Sequence, residues 1–309
     1  MDDLLIIVGP TAVGKTELSL SLAEEINAEI ISADSMQVYK GMDIGTAKPT
    51  KERARVPHHM IDIENPRYEF SVGDWLRRAE EVIEDIKRRG KVPLVVGGTG
   101  LYVRALTEGI FEGPAADWGL REELLERERI SPGSLYVELQ RVDSVSATKI
   151  HPSDVRRTVR ALEVFQKEGE PISAIHKGHQ AEAKRRPARI VGLRRARPEL
   201  YKRIETRVDS MMAGGFLEEV IALKERGCTR GMVSMQALGY KQLMAYLDGE
   251  VTLDEAVRLI KRDTKRYAKR QFTWFNADKS VRWVDLDGLP KYEALGRIKK
   301  ALEILPDIG

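Results

Sequence analysis

The stretch Gly9-Pro10-Thr11-Ala12-Val13-Gly14-Lys15-Thr16 constrains the fold more than any other part of the chain. It is a complete G-x-x-x-x-G-K-[ST] pattern, in which glycines let consecutive backbone N–H groups curl around a phosphate. A helix N-terminus behind such a turn adds positive potential. The context agrees: residues 4–8, Leu-Leu-Ile-Ile-Val, read as a buried strand, and residues 15–26 read as a helix with Leu18, Leu22 and Ile26 four apart. Lys15 is expected to reach the outer phosphate and Thr16 to hold a magnesium ion. The motif specifies a di- or triphosphate, not ATP hydrolysis. A P-loop ATPase needs an acid at the end of a later hydrophobic strand. Here the clearest candidate strand, 92–96, runs into Gly97-Gly98-Thr99-Gly100 with no carboxylate, which points to transfer chemistry on a phosphorylated small molecule.

Alternation of strands and helices continues: strand 28–33, helix 73–89, strand 91–96. This predicts an α/β fold with a parallel sheet. From about 112 to 187 helical periodicity persists without a convincing buried strand, with helices at 119–129, 134–141 and 153–168. A strand returns at 189–193, then helices at 198–213, 215–226, 240–247 and 252–275, a short strand at 281–285 and a last helix to about 304. The expected organisation is a P-loop core made of 1–111 and 188–309, interrupted by a helical insertion at 112–187.

Asp34 ends the second strand, on the sheet edge where ligands of open α/β folds bind, so it is expected to face the same crevice as Lys15. A carboxylate there can act as a general base or serve as a turn or helix-capping residue. Ser35, Gln37 and Tyr39 follow it in a polar loop, and Gly45-Thr46-Ala47-Lys48-Pro49 forms another glycine–lysine loop. Thr99 ends the third strand on the same edge, as a ligand for phosphate or acceptor or simply as a helix cap.

The 309 residues carry 51 Lys and Arg against 48 Asp and Glu, a net charge of +3 that hides segregation. Between 181 and 210, ten basic residues from Lys184 to Arg207 oppose four acids, and Arg258, Lys261, Arg262, Lys265, Arg266, Lys269 and Arg270 oppose Asp263. These are solvated helix faces or a track for a nucleic-acid backbone. The single cysteine, Cys228, excludes an internal disulfide and a cysteine-rich zinc site. No apolar run is long enough to span a bilayer, and a cytoplasmic location is expected. His58-His59 are poorly spaced for a metal, His176 and His179 are expected in a basic loop, and Trp274-Phe275 in a helical core pattern.

Taken together, the P-loop, Asp34-Ser35-Met36-Gln37-Val38-Tyr39, Gly45–Pro49, Gly97–Tyr102, Arg156–Glu163, Leu200–Ile204 leading to Arg207-Val208-Asp209, Gln236–Lys241 and Arg270–Phe275 resemble the tRNA dimethylallyltransferases. The resemblance runs from residue 5 to about 275 and is to the short bacterial form, without the zinc finger of eukaryotic members. It implies a kinase-like P-loop core with an inserted all-helical domain that grips the anticodon stem-loop of tRNA. It implies transfer of a dimethylallyl group from dimethylallyl diphosphate to N6 of the adenine 3′ of the anticodon, with magnesium assisting. By resemblance Asp34 accepts the amine proton, while Gly9 to Thr16 hold the diphosphate. Thr99 and Arg197, the latter placed four residues before Tyr201, add contacts to it. Ser35, Met36 and Gln37 touch the target base, and Arg121, Arg156, Arg157, Arg160 and Arg270 are the RNA-contacting candidates. The family's Asn-Asp or Asn-Asn lead-in reads His151-Pro152-Ser153-Asp154 here. A monomer is expected. The residues alone leave open a small-molecule P-loop kinase, with Asp34 activating a hydroxyl, and a non-catalytic RNA-binding nucleotide switch.

Overall fold

The computed structural model describes residues 3–110, 113–114, 116–182 and 186–304. In chain order the elements are β1 (Leu4–Val8), α1 (Lys15–Glu25), β2 (Ala28–Ala33), β3 (His58–His59), α2 (Val72–Arg88), β4 (Val92–Gly97), α3 (Gly100–Glu108), α4 (Trp118–Ile130), α5 (Ser134–Val142), α6 (Ser144–Ala147), α7 (Val155–Glu168), α8 (Ile172–Glu182), β5 (Ala188–Arg194), α9 (Arg197–Ala213), α10 (Phe216–Glu225), α11 (Tyr240–Leu247), α12 (Leu253–Asn276), β6 (Val281–Asp285) and α13 (Lys291–Ala301). They form two compact units, one of Met1–Thr107 with Arg186–Gly309 and the other Glu108–Arg185.

The first unit is built on a six-stranded sheet in the order β3-β2-β4-β1-β5-β6, every pair parallel. Both faces are covered, which explains why β1 is apolar throughout rather than alternating. Leu4, Ile6 and Val8 pack into the cluster containing Trp75, Phe216 and Tyr240, whereas Leu5 and Ile7 pack into the one containing Leu22, Ile204 and Ile298. Because all strands run the same way, β1, β2 and β4 deliver their following loops to one edge. Gly9 is held at φ +150°, and a Cβ there would lie 2.7 Å from the Leu193 carbonyl oxygen of β5. Only glycine lets the phosphate turn leave β1 so close to its neighbour.

The second unit is helical in its described residues, with a core of Leu124, Leu135, Leu139, Val159 and Leu162. Its principal ionic feature is Glu163, whose side chain is fully buried. Glu163 accepts two bonds from Arg121, at 2.9 Å each, one from Arg160 at 2.6 Å and one from the Asp117 N–H at 2.7 Å. These donors hold the Glu163 carboxyl below its ordinary value against the burial that pushes it up.

Several local expectations change. Residues 172–182 are helix α8, so His176 lies in a helix rather than a loop; the side chain of His179 and residues Lys184 and Arg185 lie outside the described residues. His58-His59 form a two-residue edge strand, where His58 Nδ1 meets the Val56 carbonyl at 2.8 Å and His59 Nε2 meets buried Glu29 at 2.7 Å. Phe275 is core, but Trp274 is 42% exposed and lies over Gly100, whose absent Cβ makes room for the indole. Cys228 is buried just beyond α10. Among the described residues no helix is long and apolar enough to cross a membrane.

Candidate functional site

The phosphate turn meets α1 at Gly14, which caps the helix at φ +112°. Ala12 sits in the left-handed region at φ +64°, unusual for a residue with a Cβ and a mark of a locally constrained loop. Together with α9 and α12 the turn encloses a cavity of about 540 Å³. Thr11, Ala12, Gly14, Lys15 and Thr16 line it from the turn, while Lys202, Arg203 and Arg207 face them from α9. Gly9, Pro10 and Val13 are buried behind the turn and shape it without lining the cavity. The Lys15 ammonium is tied back to the Gly9 and Pro10 carbonyls, at 2.9 Å each. Burial lowers its pKa to about 8; Asp34 opposes that shift and Arg207 adds to it. Burial also lowers the Arg207 pKa from its usual value, again opposed by Asp34.

A second cavity of about 290 Å³ shares Thr11, Asp34, Thr46, Arg207 and Tyr267 with the first. Its other walls are largely apolar and include Met36, Val208, Met211, Phe216, Leu238 and Ile260, with Ser35 and Arg270 also present. Asp34 therefore stands where a strongly cationic chamber meets an apolar one. Its Oδ1 accepts the Met36 N–H at 2.9 Å and the Gln37 N–H at 3.4 Å, an Asx turn that fixes the carboxylate at the end of β2.

Gln37 lines the cationic chamber, but its amide is engaged within the protein: Oε1 accepts from the Ser32 hydroxyl at 2.9 Å and Nε2 donates to the Thr46 carbonyl at 3.2 Å. Thr99 Oγ1 accepts the Ser35 N–H at 3.1 Å, joining the β4 and β2 loops; Thr99 is not among the residues lining either chamber. The Gly45–Lys48 loop forms a further wall. Glu219 of α10 accepts the N–H groups of Asp43, Ile44 and Gly45 and the Tyr240 hydroxyl. The Lys48 ammonium, its side chain fully buried, bonds the Tyr39 carbonyl, Asp43 and Asp62.

Arg197 stands outside the cavity. It is the first residue of α9, exposed, with its guanidinium 5.8 Å from the Tyr201 ring centre. At 1.5 Å per residue it sits roughly 15 Å along the helix from Arg207, so another turn of α9 supplies the cations. The sequence signal was present: Arg203 and Arg207 are four apart, as are Tyr267 and Gln271 on α12, and each pair lies on one helix face. Neither pair stands out by charge, because both lie inside tracts already rich in it.

Of the arginines expected at RNA, Arg121 and Arg160 are engaged with Glu163, Arg157 lies 3.4 Å from Asp154, and Arg156 is exposed. On α12, Arg258 pairs with Glu255, Lys261 with Asp209, Arg262 with Asp263 and Lys265 with Glu205. Among the described residues no acid pairs with Lys269 or Arg270; Arg270 lies over the Tyr267 ring instead. Within the 186–210 tract, Arg186 pairs with Glu80, Arg189 with Asp3 and Arg194 with Asp285, so much of that charge fastens the fold.

The family model for IPP transferase matches residues 37–278, and that for isopentenyl transferase matches residues 2–58. The chain belongs to the IPP transferase family. It is 53% identical over 302 residues to a tRNA dimethylallyltransferase of Thermodesulfovibrio yellowstonii, covering 94% of each chain. It is 46% identical to that of Thermotoga petrophila, covering 98% of this chain and 97% of the relative. Among solved structures it resembles the tRNA isopentenylpyrophosphate transferase of Bacillus halodurans, with a TM-score of 0.71, 42% identity, and 98% and 97% coverage. It also resembles a eukaryotic dimethylallyltransferase acting on tRNA, with a TM-score of 0.82, 29% identity, 99% coverage of this chain and 81% of that one. As a member of this family it is a prenyl-transferring enzyme with a P-loop core.

Proposed function

We propose that this enzyme transfers a dimethylallyl group from dimethylallyl diphosphate to N6 of the adenine 3′-adjacent to the anticodon in tRNA, releasing diphosphate. The observation that carries this reading is the position of Asp34 at the junction of the two chambers. The cationic chamber suits a diphosphate, through Lys15, Arg203, Arg207 and the turn at 11–16. The apolar one suits a prenyl chain and a planar base drawn out of its stack. The allylic C1–O bond breaks and its electron pair leaves with the diphosphate, where Lys15 and Arg207 stabilise the growing charge. The N6–C1 bond forms, and the amine proton passes to Asp34, whose orientation the Met36 N–H maintains.

Magnesium fits this donor set. Thr16 lines the chamber at the start of α1, and a small hard cation draws its remaining ligands from diphosphate oxygens and water. Bound there it would neutralise charge on the leaving group. The helical unit, with exposed Arg156 and Arg157, is assigned to the anticodon stem-loop, with Lys269 and Arg270 on α12 as further phosphate contacts. The protein is read as a cytoplasmic monomer.

The test combines magnesium, labelled dimethylallyl diphosphate and unmodified tRNA bearing an anticodon-adjacent adenine. Label in the RNA, lost by at least about a hundredfold in Asp34→Ala with tRNA binding retained, is the expected result. ATP consumption without RNA, and no label in the RNA, would favour a small-molecule kinase instead.

A further inference from the structure

Helix α12 reaches the cationic chamber through Tyr267 and Gln271. Gln271 is buried to 6% exposure. Its Oε1 accepts the Thr11 N–H at 2.8 Å, and its Nε2 donates to the Gly98 carbonyl at 3.0 Å. Those two loops follow β1 and β4, whose register ends at Val8 opposite Gly97. Beyond that pair the ladder stops and the turns part. The amide joins them again, acting as one more rung between two loops that have left the sheet.

The chemistry demands an amide. One end must accept from an N–H and the other must donate to a carbonyl, both in a buried place. A glutamate would lose the donor and set a negative charge beside the phosphate turn. Position 98 is matched to it: a Cβ built on Gly98 would lie 2.1 Å from Gln271 Nε2. One turn earlier on α12, Tyr267 lies within interaction reach of Thr99 and Gln271, and Thr99 in turn accepts the Ser35 N–H next to Asp34. Gln271 thus ties the loops after β1 and β4 to one helix, and Thr99 ties the loop after β2 to the one after β4.

We infer that Gln271 is a positioning residue that presets the phosphate turn for the diphosphate by bridging Thr11 and Gly98. This rests on the functional reading above. The Thr11 N–H, spent on Gln271, is an anchor of the turn rather than a ligand donor. The remaining N–H groups then keep their geometry before any ligand arrives, so binding need not order them.

The test measures affinity for inorganic diphosphate with magnesium and no RNA, affinity for unmodified tRNA, and the single-turnover transfer rate. Gln271→Ala is expected to weaken diphosphate binding about tenfold and to slow transfer, with tRNA affinity unchanged. Gly98→Ala is expected to do the same by displacing the amide. The Gln271→Ala/Gly98→Ala double variant is expected to be no worse than Gln271→Ala alone, since the clash then has no target. The isosteric Gln271→Glu keeps the volume and serves if the smaller side chain unfolds the protein; it too is expected to bind diphosphate more weakly. Unchanged diphosphate affinity in these variants overturns the inference, as does strict additivity in the double variant or a parallel loss of tRNA and diphosphate affinity. Wild-type protein that binds no diphosphate overturns the functional reading itself, and the inference with it.

Discussion

The depressed Lys15 pKa is expected to make binding of a diphosphate donor sensitive to mildly alkaline pH. Burial brings the ammonium from the ordinary value of 10.5 down to about 8 in the free protein. Only the charged form attracts a diphosphate. With a pKa of about 8, roughly nine-tenths of Lys15 is charged at pH 7 and about 3% at pH 9.5, so donor affinity falls about 30-fold across that interval. The ligand itself supports the charged form, so the loss follows the pKa of the free site. Titration of dimethylallyl diphosphate into RNA-free enzyme from pH 6.5 to 9.5, by calorimetry, reads this directly. Lys15→Arg, cationic throughout, corrects for ionisation of the ligand and is expected to flatten the profile. The stability of the unliganded protein moves the other way. Between about 8 and 10.5 the unfolded chain holds a proton at Lys15 that the folded one has released, so this group makes stability rise with pH over that window. A wild-type affinity that is flat from pH 7 to 9.5, or a Lys15→Arg profile with the same inflection, would remove Lys15 as the source of the pH dependence.

Other outcomes test the scaffold and the RNA face. Glu163→Ala leaves Arg121 and Arg160 without their buried counter-ion and should cost about 3 kcal/mol, seen as a lower unfolding midpoint; an unchanged midpoint would deny the pair its structural role. Gly45→Ala drives a methyl into the Phe216 and Tyr240 rings, 2.2 and 2.5 Å from the new Cβ. It should lower stability by about 1–3 kcal/mol in denaturant unfolding and reduce transfer activity with it. Lys269→Glu combined with Arg270→Glu should weaken tRNA binding and make its dependence on log salt shallower, by about 0.9 for each phosphate no longer neutralised; an unaltered slope would reduce that end of α12 to a solvated face.

The legible part of this molecule is the part set by local pattern. β1 is apolar at every position because both its faces are covered, and a strand feeding a glycine turn and a helix can be read without any distant contact. The ends of β2 and β4 follow, because parallel strands carry Asp34 and Gly97 to the same edge. Less legible is α8, a short helix with little to separate it from a loop. The two-residue strand β3 exists only because β2 offers it an edge. Trp274 departs from its expected core place for a related reason: helical spacing names a face, but the missing side chain of Gly100 provides its seat at the surface.

The same division runs through the site. Chain-adjacent geometry is enough to specify a P-loop turn at 9–16 and a carboxylate at the end of β2, and both can be read one residue after another. Packing between distant elements selects the cations that complete the chamber, Arg203 and Arg207 rather than Arg197, because that depends on where α9 lies against the turn. It also separates charge that lines the chamber from charge that is paired within the fold. Arg121 and Arg160 look like any exposed arginine until buried Glu163 is seen between them. Finally, it joins Thr11 to Gln271 across 260 residues of chain. Hydrogen bonding over such a separation leaves no periodic trace, because nothing in local spacing records which distant loop a side chain will meet.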